Sequence, residues 1–234
     1  MAEDLPSDKE RLARAISRPA SMTEIAIVLG IPSALSLVSA FRINGQPEGA
    51  PAVTDLNALL SVGLQVILAA FLLFYLRRRN WRPMEIAGEP EPRDIPRGVA
   101  VWIAVITAFY FVLLLLTVLD RAFMSTIQRP LSGHISPPAI LAVAVIDPVF
   151  EEFLWLGYTI PAVANRAGLR IAFVVSVFFR VLAHAYQGKL ALIAILPVAL
   201  VLTWYFVRTG RLWPVIVAHI VQDAIALSVL RAPS

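Results

Sequence analysis

The chain has 234 residues, 59% hydrophobic and 15% charged, where soluble domains average about 45–50% apolar and about 25% charged. The apolar residues gather in continuous runs of the length that crosses a hydrocarbon core of about 30 Å, which predicts an all-α, polytopic transmembrane helix bundle and argues against a barrel, whose strands alternate apolar and polar. The absence of cysteine excludes disulfides, a cysteine nucleophile and thiolate metal sites; the net charge of +4 comes from bases that flank apolar runs, which is not the pattern of a nucleic-acid-binding module.

In chain order, residues 1–21 form a mixed-charge, cytoplasmic N-terminal segment with no early apolar core, so no cleavable signal peptide is expected. Seven spans follow, at about 22–41, 56–76, 98–119, 138–160, 170–187, 189–207 and 212–230. They divide into a first transmembrane region over 22–137 and a second over 138–230. Gly30, Pro32 and several serines interrupt the first span. The loop 77–97 carries six arginines and Pro83, Pro90, Pro92 and Pro96, and reads as a solvated, partly stiff topology anchor. A headgroup contact by Arg77–Arg82 with Trp81 is the second reading of that loop.

Lys and Arg asymmetry sets the orientation. With the N-terminus inside, fourteen bases fall on the cytoplasmic side: Lys9, Arg11, Arg14, Arg18, the six of the 77–97 loop, Arg166, Arg170, Arg208 and Arg211. Five fall on the other side: Arg42, Arg121, Arg129, Lys189 and Arg231. The C-terminus is then outside, and the expected location is a bacterial inner (cell) membrane. His134 lies in an outer loop and receives no role. Tyr186 and Trp213 read as interface-belt aromatics and Trp155 as bundle packing.

The fourth span contains Glu151 and Glu152 side by side. One charge at the bilayer centre costs roughly 2.5–3.5 kcal/mol on insertion scales, so two imply a polar cavity with partners. Arg180 and His184, four apart, share a face of the next span, and His219 and Asp223 share a face of the last. At 1.5 Å per residue, Glu151 lies about 13 Å from the cytoplasmic end of its span, His184 about 21 Å, His219 about 11 Å and Asp223 about 17 Å. Three helices thus bring ionisable groups into the middle band of the membrane. Asp147 stands one turn before Glu151, and Pro148 in the same helix frees a backbone carbonyl and opens room for water. These residues alone point to an intramembrane hydrolase or to an ion or proton pathway.

The set resembles the CAAX-processing and bacteriocin-processing (CPBP, Abi) intramembrane endopeptidases, related to the Ras-converting CAAX endopeptidase. Their first motif, Glu-Glu-x-x-x-Arg-Gly, is matched by Glu151-Glu152-Phe-Leu-Trp-Leu156-Gly157. Their second, Phe-x-x-x-His, is matched by Arg180-Val-Leu-Ala-His184, and their third, His-x-x-x-Asn or His-x-x-x-Asp, by His219-Ile-Val-Gln-Asp223. The likeness covers about residues 138–230, in order and spacing. It implies catalytic roles for Glu151, Glu152, His184, His219 and Asp223. Glu151 and His184 would activate water without a metal or other cofactor, and His219 with Asp223 would serve the oxyanion side. The implied partners are the lipid bilayer and a membrane-associated or lipidated peptide or protein substrate, with no nucleic acid.

Two positions depart from the motifs. Leu156 stands where the arginine is expected, and Arg180 where the phenylalanine is. The two changes compensate if Arg180 reaches Glu152 from the neighbouring helix as its counter-ion, because an unpartnered buried carboxylate protonates. Three other readings stand beside the peptidase. One is a zinc-dependent protease, for which His-Glu-x-x-His is missing. Another is a proton-coupled transporter, against which the polar residues cluster in one half. The third is a non-catalytic scaffold or immunity protein, for which Leu156 is the best argument.

Overall fold

The computed structural model describes residues 8–44, 53–82, 86–119, 133–185 and 189–229. Tyr186, the 186–188 junction, Arg121, Arg129 and Arg231 lie outside these residues. The fold is all-α. Its helices are α1 (Asp8–Ile16), α2 (Met22–Asn44), α3 (Asp55–Arg78), α4 (Asp94–Leu119), α5 (Pro137–Glu152), α6 (Thr159–Ala167), α7 (Leu169–Ala183), α8 (Lys189–Thr209) and α9 (Trp213–Val229). A π-helical turn, Phe153–Tyr158, joins α5 to α6. The strands found are two residues long each, β1 (Val53–Thr54) and β2 (Gly133–His134), paired in parallel.

Each apolar run coincides with a helix. Among the described residues, three helices are long and apolar enough to cross a membrane: Met22–Arg42, Asp55–Arg78 and Asp94–Val118; Ile195–Thr209 and Trp213–Ser228 are shorter apolar helices. Large apolar side chains such as Ile67, Phe111, Leu114 and Phe178 face outward. On a water-soluble protein such continuous apolar surface promotes association, whereas hydrocarbon solvates it. The chain is accordingly read as a membrane protein.

Several boundaries differ from the sequence reading. α2 runs unbroken through Pro32. The helix expected over 138–160 instead passes through the π turn and continues to Ala167. The helix expected to reach 187 stops at Ala183, where the His184 backbone N–H closes on Val181 O at 3.1 Å. The loop 77–97 is not simply solvated. Trp81, Ile86, Ala87 and Asp94 are buried. The Trp81 indole donates to Glu24 Oε1 at 2.7 Å, and Tyr158 Oη donates to the same oxygen at 3.0 Å. Two indole and phenol donors thus draw this segment inward, and Trp81 is not available to lipid headgroups. Trp213, read as an interface-belt residue, donates through its indole to Gly88 O at 2.8 Å and meets Phe153 edge-on.

An ionic knot holds the end of the bundle where α8 turns into α9. Arg211 lies in that turn and is buried. It donates to Asp94 at the start of α4, reaches Glu91 Oε1 at 2.8 Å, and reaches Asp8 Oδ2 of α1 at 3.0 Å. Hydrogen bonding to Asp94 and Glu91 outweighs desolvation and pushes the Arg211 guanidinium further up. The knot leaves no room beside it. Gly210 has φ +73°, and a Cβ there would sit 2.5 Å from Asp8 O.

Packing against the last helix is equally close. A Cβ on Gly98 of α4 would meet Val217 Cβ of α9 at 2.5 Å and Pro214 O at 2.9 Å, whereas one on Gly63 of α3 would meet nothing within 4 Å. Gly98→Ala is therefore expected to cost about 1–3 kcal/mol through overpacking. Gly63→Ala should stabilise by roughly 0.5–1 kcal/mol through helix propensity. Thermal unfolding of the two variants in detergent checks the opposite signs.

Candidate active site

The site starts from two parallel helices set at a common height. Thr54 Oγ1 accepts from Asn57 N and caps α3, Asp55 Oδ1 accepts from Ser136 N at 2.7 Å, and β1 pairs with β2. The starts of α3 and α5 are thereby tied together. Gln65 and Asp147 each follow ten residues into their helices, about 15 Å along, and Gln65 hydrogen-bonds the Asp147 carboxylate. One turn further along α5 stands Glu151, then Glu152.

The π turn begins immediately after Glu152. Two hydroxyls donate to carbonyls of this wider turn, one of them beside the backbone bond from Thr159 N–H to Leu154 O. Thr159 Oγ1 donates to Leu154 O at 2.7 Å, and Ser176 Oγ on α7 donates to Trp155 O at 2.7 Å. The second of these ties the turn to α7. Trp155 also stacks on Phe179, ring centroids 6.2 Å apart, as bundle packing.

Across this contact Arg180 meets Glu152. Nη1 donates to Oε1 at 2.6 Å and Nη2 to Oε2 at 2.5 Å. Both side chains are sealed, with 2% and 0% of their surface exposed, so the pair is a fully desolvated fork-to-fork contact. Leu156, at the motif arginine position, is also fully buried and provides no charge. The counter-ion of Glu152 is thus supplied from the neighbouring helix.

The histidines are fixed by the same elements. His219 Nδ1 lies 2.7 Å from Glu152 Oε1, and its Nε2 lies 3.6 Å from Asp223 Oδ1. His184 Nδ1 lies 2.9 Å from Arg180 O. A carbonyl only accepts, so that ring nitrogen carries the proton. Asp223 is within Coulombic range of His184, His219, Glu151 and Glu152. The structure therefore gathers all five sequence-selected residues, with Arg180, into one cluster. Glu151 keeps Oε2 buried without a protein partner, as Asp147 keeps Oδ1. Both are buried acceptors whose hydrogen-bonding capacity no protein donor fills. Among the described residues, no group of three or more His, Asp or Glu side chains is arranged to hold a metal ion.

Gln65 and Ser176 were not singled out from sequence. Each is a polar residue inside an otherwise apolar run, and that alone marks it as facing the bundle interior. Gln222 belongs to the same class; its Oε1 accepts from the Trp102 indole at 3.1 Å.

Breaking a buried ion pair from one side leaves the other charge uncompensated, at about 3–5 kcal/mol. Arg180→Leu and Glu152→Gln should each lose stability on that scale, and the double variant should lose less than the sum of the two. Unfolding of all three proteins in detergent measures the coupling.

Residues 133–225 match the Rce1-like family model, described as type II CAAX prenyl endopeptidase Rce1-like. No curated protein and no solved structure matches the chain.

Proposed function

We propose, from the match of residues 133–225 to the Rce1-like family model, that the chain is an intramembrane endopeptidase acting on a membrane-associated or lipidated peptide or protein. The observation that carries this reading is Glu151. It has a buried, unpartnered carboxylate oxygen, in a cluster with two histidines whose ring orientations are fixed by hydrogen bonds.

Glu151 takes a proton from water, and the water oxygen attacks the scissile carbonyl carbon. His184, with its Nδ1 proton committed to Arg180 O, offers Nε2 as the acceptor that orients this water. General-base assistance of this kind supplies about 10²–10⁴-fold. The carbonyl oxygen becomes an oxyanion, and His219 donates to it through Nε2; one such donor contributes roughly 10²–10³-fold. Asp223, beside that nitrogen, holds the ring's charge. When the tetrahedral intermediate collapses, the C–N bond breaks. The proton on Glu151 passes to the leaving amine, and the other product is a carboxylate.

No metal or cofactor enters this scheme. In the membrane, the chain makes seven passes with the N-terminus cytoplasmic, in a bacterial inner membrane. The scaffold reading drew its support from Leu156, and the pairing of Glu152 with Arg180 weakens it, since the carboxylate has its cation. The transporter reading gains no support from the placement of Gln65 and Asp147, which belong to the same cluster.

The test is cleavage of a membrane-peptide library by purified wild type and Glu151→Gln, with and without a zinc chelator. Cleavage is expected for wild type, at least about 10²-fold slower in the variant, and indifferent to chelator. Loss of activity with chelator would favour the zinc protease. Equal cleavage by both proteins would remove Glu151 from the chemistry.

A further inference from the structure

The two site histidines lie on different helices, 35 residues apart in sequence, yet both are held through one residue. The Arg180 carbonyl is the contact of His184 Nδ1 at 2.9 Å. The Arg180 guanidinium grips both oxygens of Glu152, whose Oε1 is in turn the contact of His219 Nδ1 at 2.7 Å. A carboxylate locked in a two-point contact with arginine is an acceptor only. His219 Nδ1 must then be the donor, as His184 Nδ1 is towards the carbonyl. We propose that Arg180 is the positioning residue for both histidines: its carbonyl orients His184 directly, and its side chain orients His219 through Glu152, so that both rings turn Nε2 towards the reacting atoms.

This assigns Glu152 a role separate from that of Glu151. Glu152 Oε1 and Oε2 are fully engaged and sealed from solvent, while Glu151 Oε2 has no protein partner. The adjacent carboxylates therefore divide the work: one handles the proton of water, the other orients the His219 ring and balances its charge, as the orienting carboxylate of a catalytic triad does. It also changes the part of Asp223. At 3.6 Å from Nε2, Asp223 is beyond hydrogen-bonding distance and lies on the side of the ring where the substrate oxygen arrives. It does not set the ring's orientation. The catalytic consequence rests on the endopeptidase reading; the geometry does not.

The chain has three histidines, so an imidazole-¹⁵N-labelled, full-length sample in detergent gives a spectrum that single His→Asn substitutions can assign. In wild type, His219 is expected to carry an Nδ1–H with a far-downfield, hydrogen-bonded proton. That signal should shift or vanish in Glu152→Gln and in Arg180→Leu. The His184 signal should persist in Arg180→Leu, because its acceptor is a backbone carbonyl that the substitution keeps. The single variants leave a buried charge unpaired, so Glu152→Gln/Arg180→Met, which removes both charges, is measured with them. The kinetic expectation is a fall in kcat of about 10²–10⁴-fold with KM unchanged. A wild-type His219 with bare Nδ1, or an unaltered His219 signal in the double variant, overturns the proposal, and the first of these needs no variant at all. If wild type cleaves nothing while its His219 spectrum is as expected, the endopeptidase reading fails and the positioning stands. If wild type cleaves and the double variant cleaves equally fast, the reverse holds.

Discussion

A single desolvated ion pair, Arg180 with Glu152, decides how the second half of this molecule is arranged. Each charge would be very costly alone in a membrane interior. Neither helix can settle until the other presents its partner, so the pair fixes the rotation of α7 against α5 and leaves few alternatives. The π turn next to it belongs to the same constraint. The hydroxyls of Thr159 and Ser176 donate to two of its carbonyls, and Ser176 sits one turn before Arg180 on α7. Hydroxyl and guanidinium together make two polar attachments between the same pair of elements. In a medium without water such attachments are the directional forces available, since apolar contacts with lipid and with protein differ little.

The arrangement separates rigidity from reactivity. Residues with every polar atom engaged lie behind the site: Glu152 and the hydroxyls of Thr159 and Ser176. The atoms without protein partners, Glu151 Oε2 and Asp147 Oδ1, belong to residues one turn apart on α5. On the proposed reading, the unsatisfied acceptors are left for a reacting donor while the hydrogen bonds fix geometry. Gln65, contributed by a helix from the first half of the chain, shows that the site is not confined to the matched segment.

Much of this was legible in the sequence. Apolar run length placed the helices, and the cost of charge at depth singled out Glu151, Glu152, His184, His219 and Asp223 as an internal cluster. The replacement of two motif residues at once, Leu156 and Arg180, predicted the cross-helix pair, because a buried carboxylate must find a cation. What was not legible depends on three-dimensional hydrogen bonding. Nothing in Phe153–Tyr158 announces a π turn, two of whose carbonyls accept from hydroxyls one and two elements away. His219 was read as a partner of Asp223 from their four-residue spacing, yet its close contact is with Glu152, 67 positions earlier. Trp81 has the composition and flanks of an interface residue, and only the position of the buried Glu24 shows why it turns inward.

The ionic knot at Arg211 has a consequence for how the molecule is made. Asp8 and Arg211 are 203 positions apart, so this ionic contact of α1 waits for a turn synthesised much later. At about 5–20 residues per second, α1 waits roughly 10–40 s for its partner. During that interval Asp8 has no contact with Arg211, and the knot closes only after the turn between α8 and α9 has formed. The N-terminal helix is thus held in two ways, by packing and the Asn165–Ile16 hydrogen bond on α6 and by an ionic contact that exists only once the turn between α8 and α9 is in place.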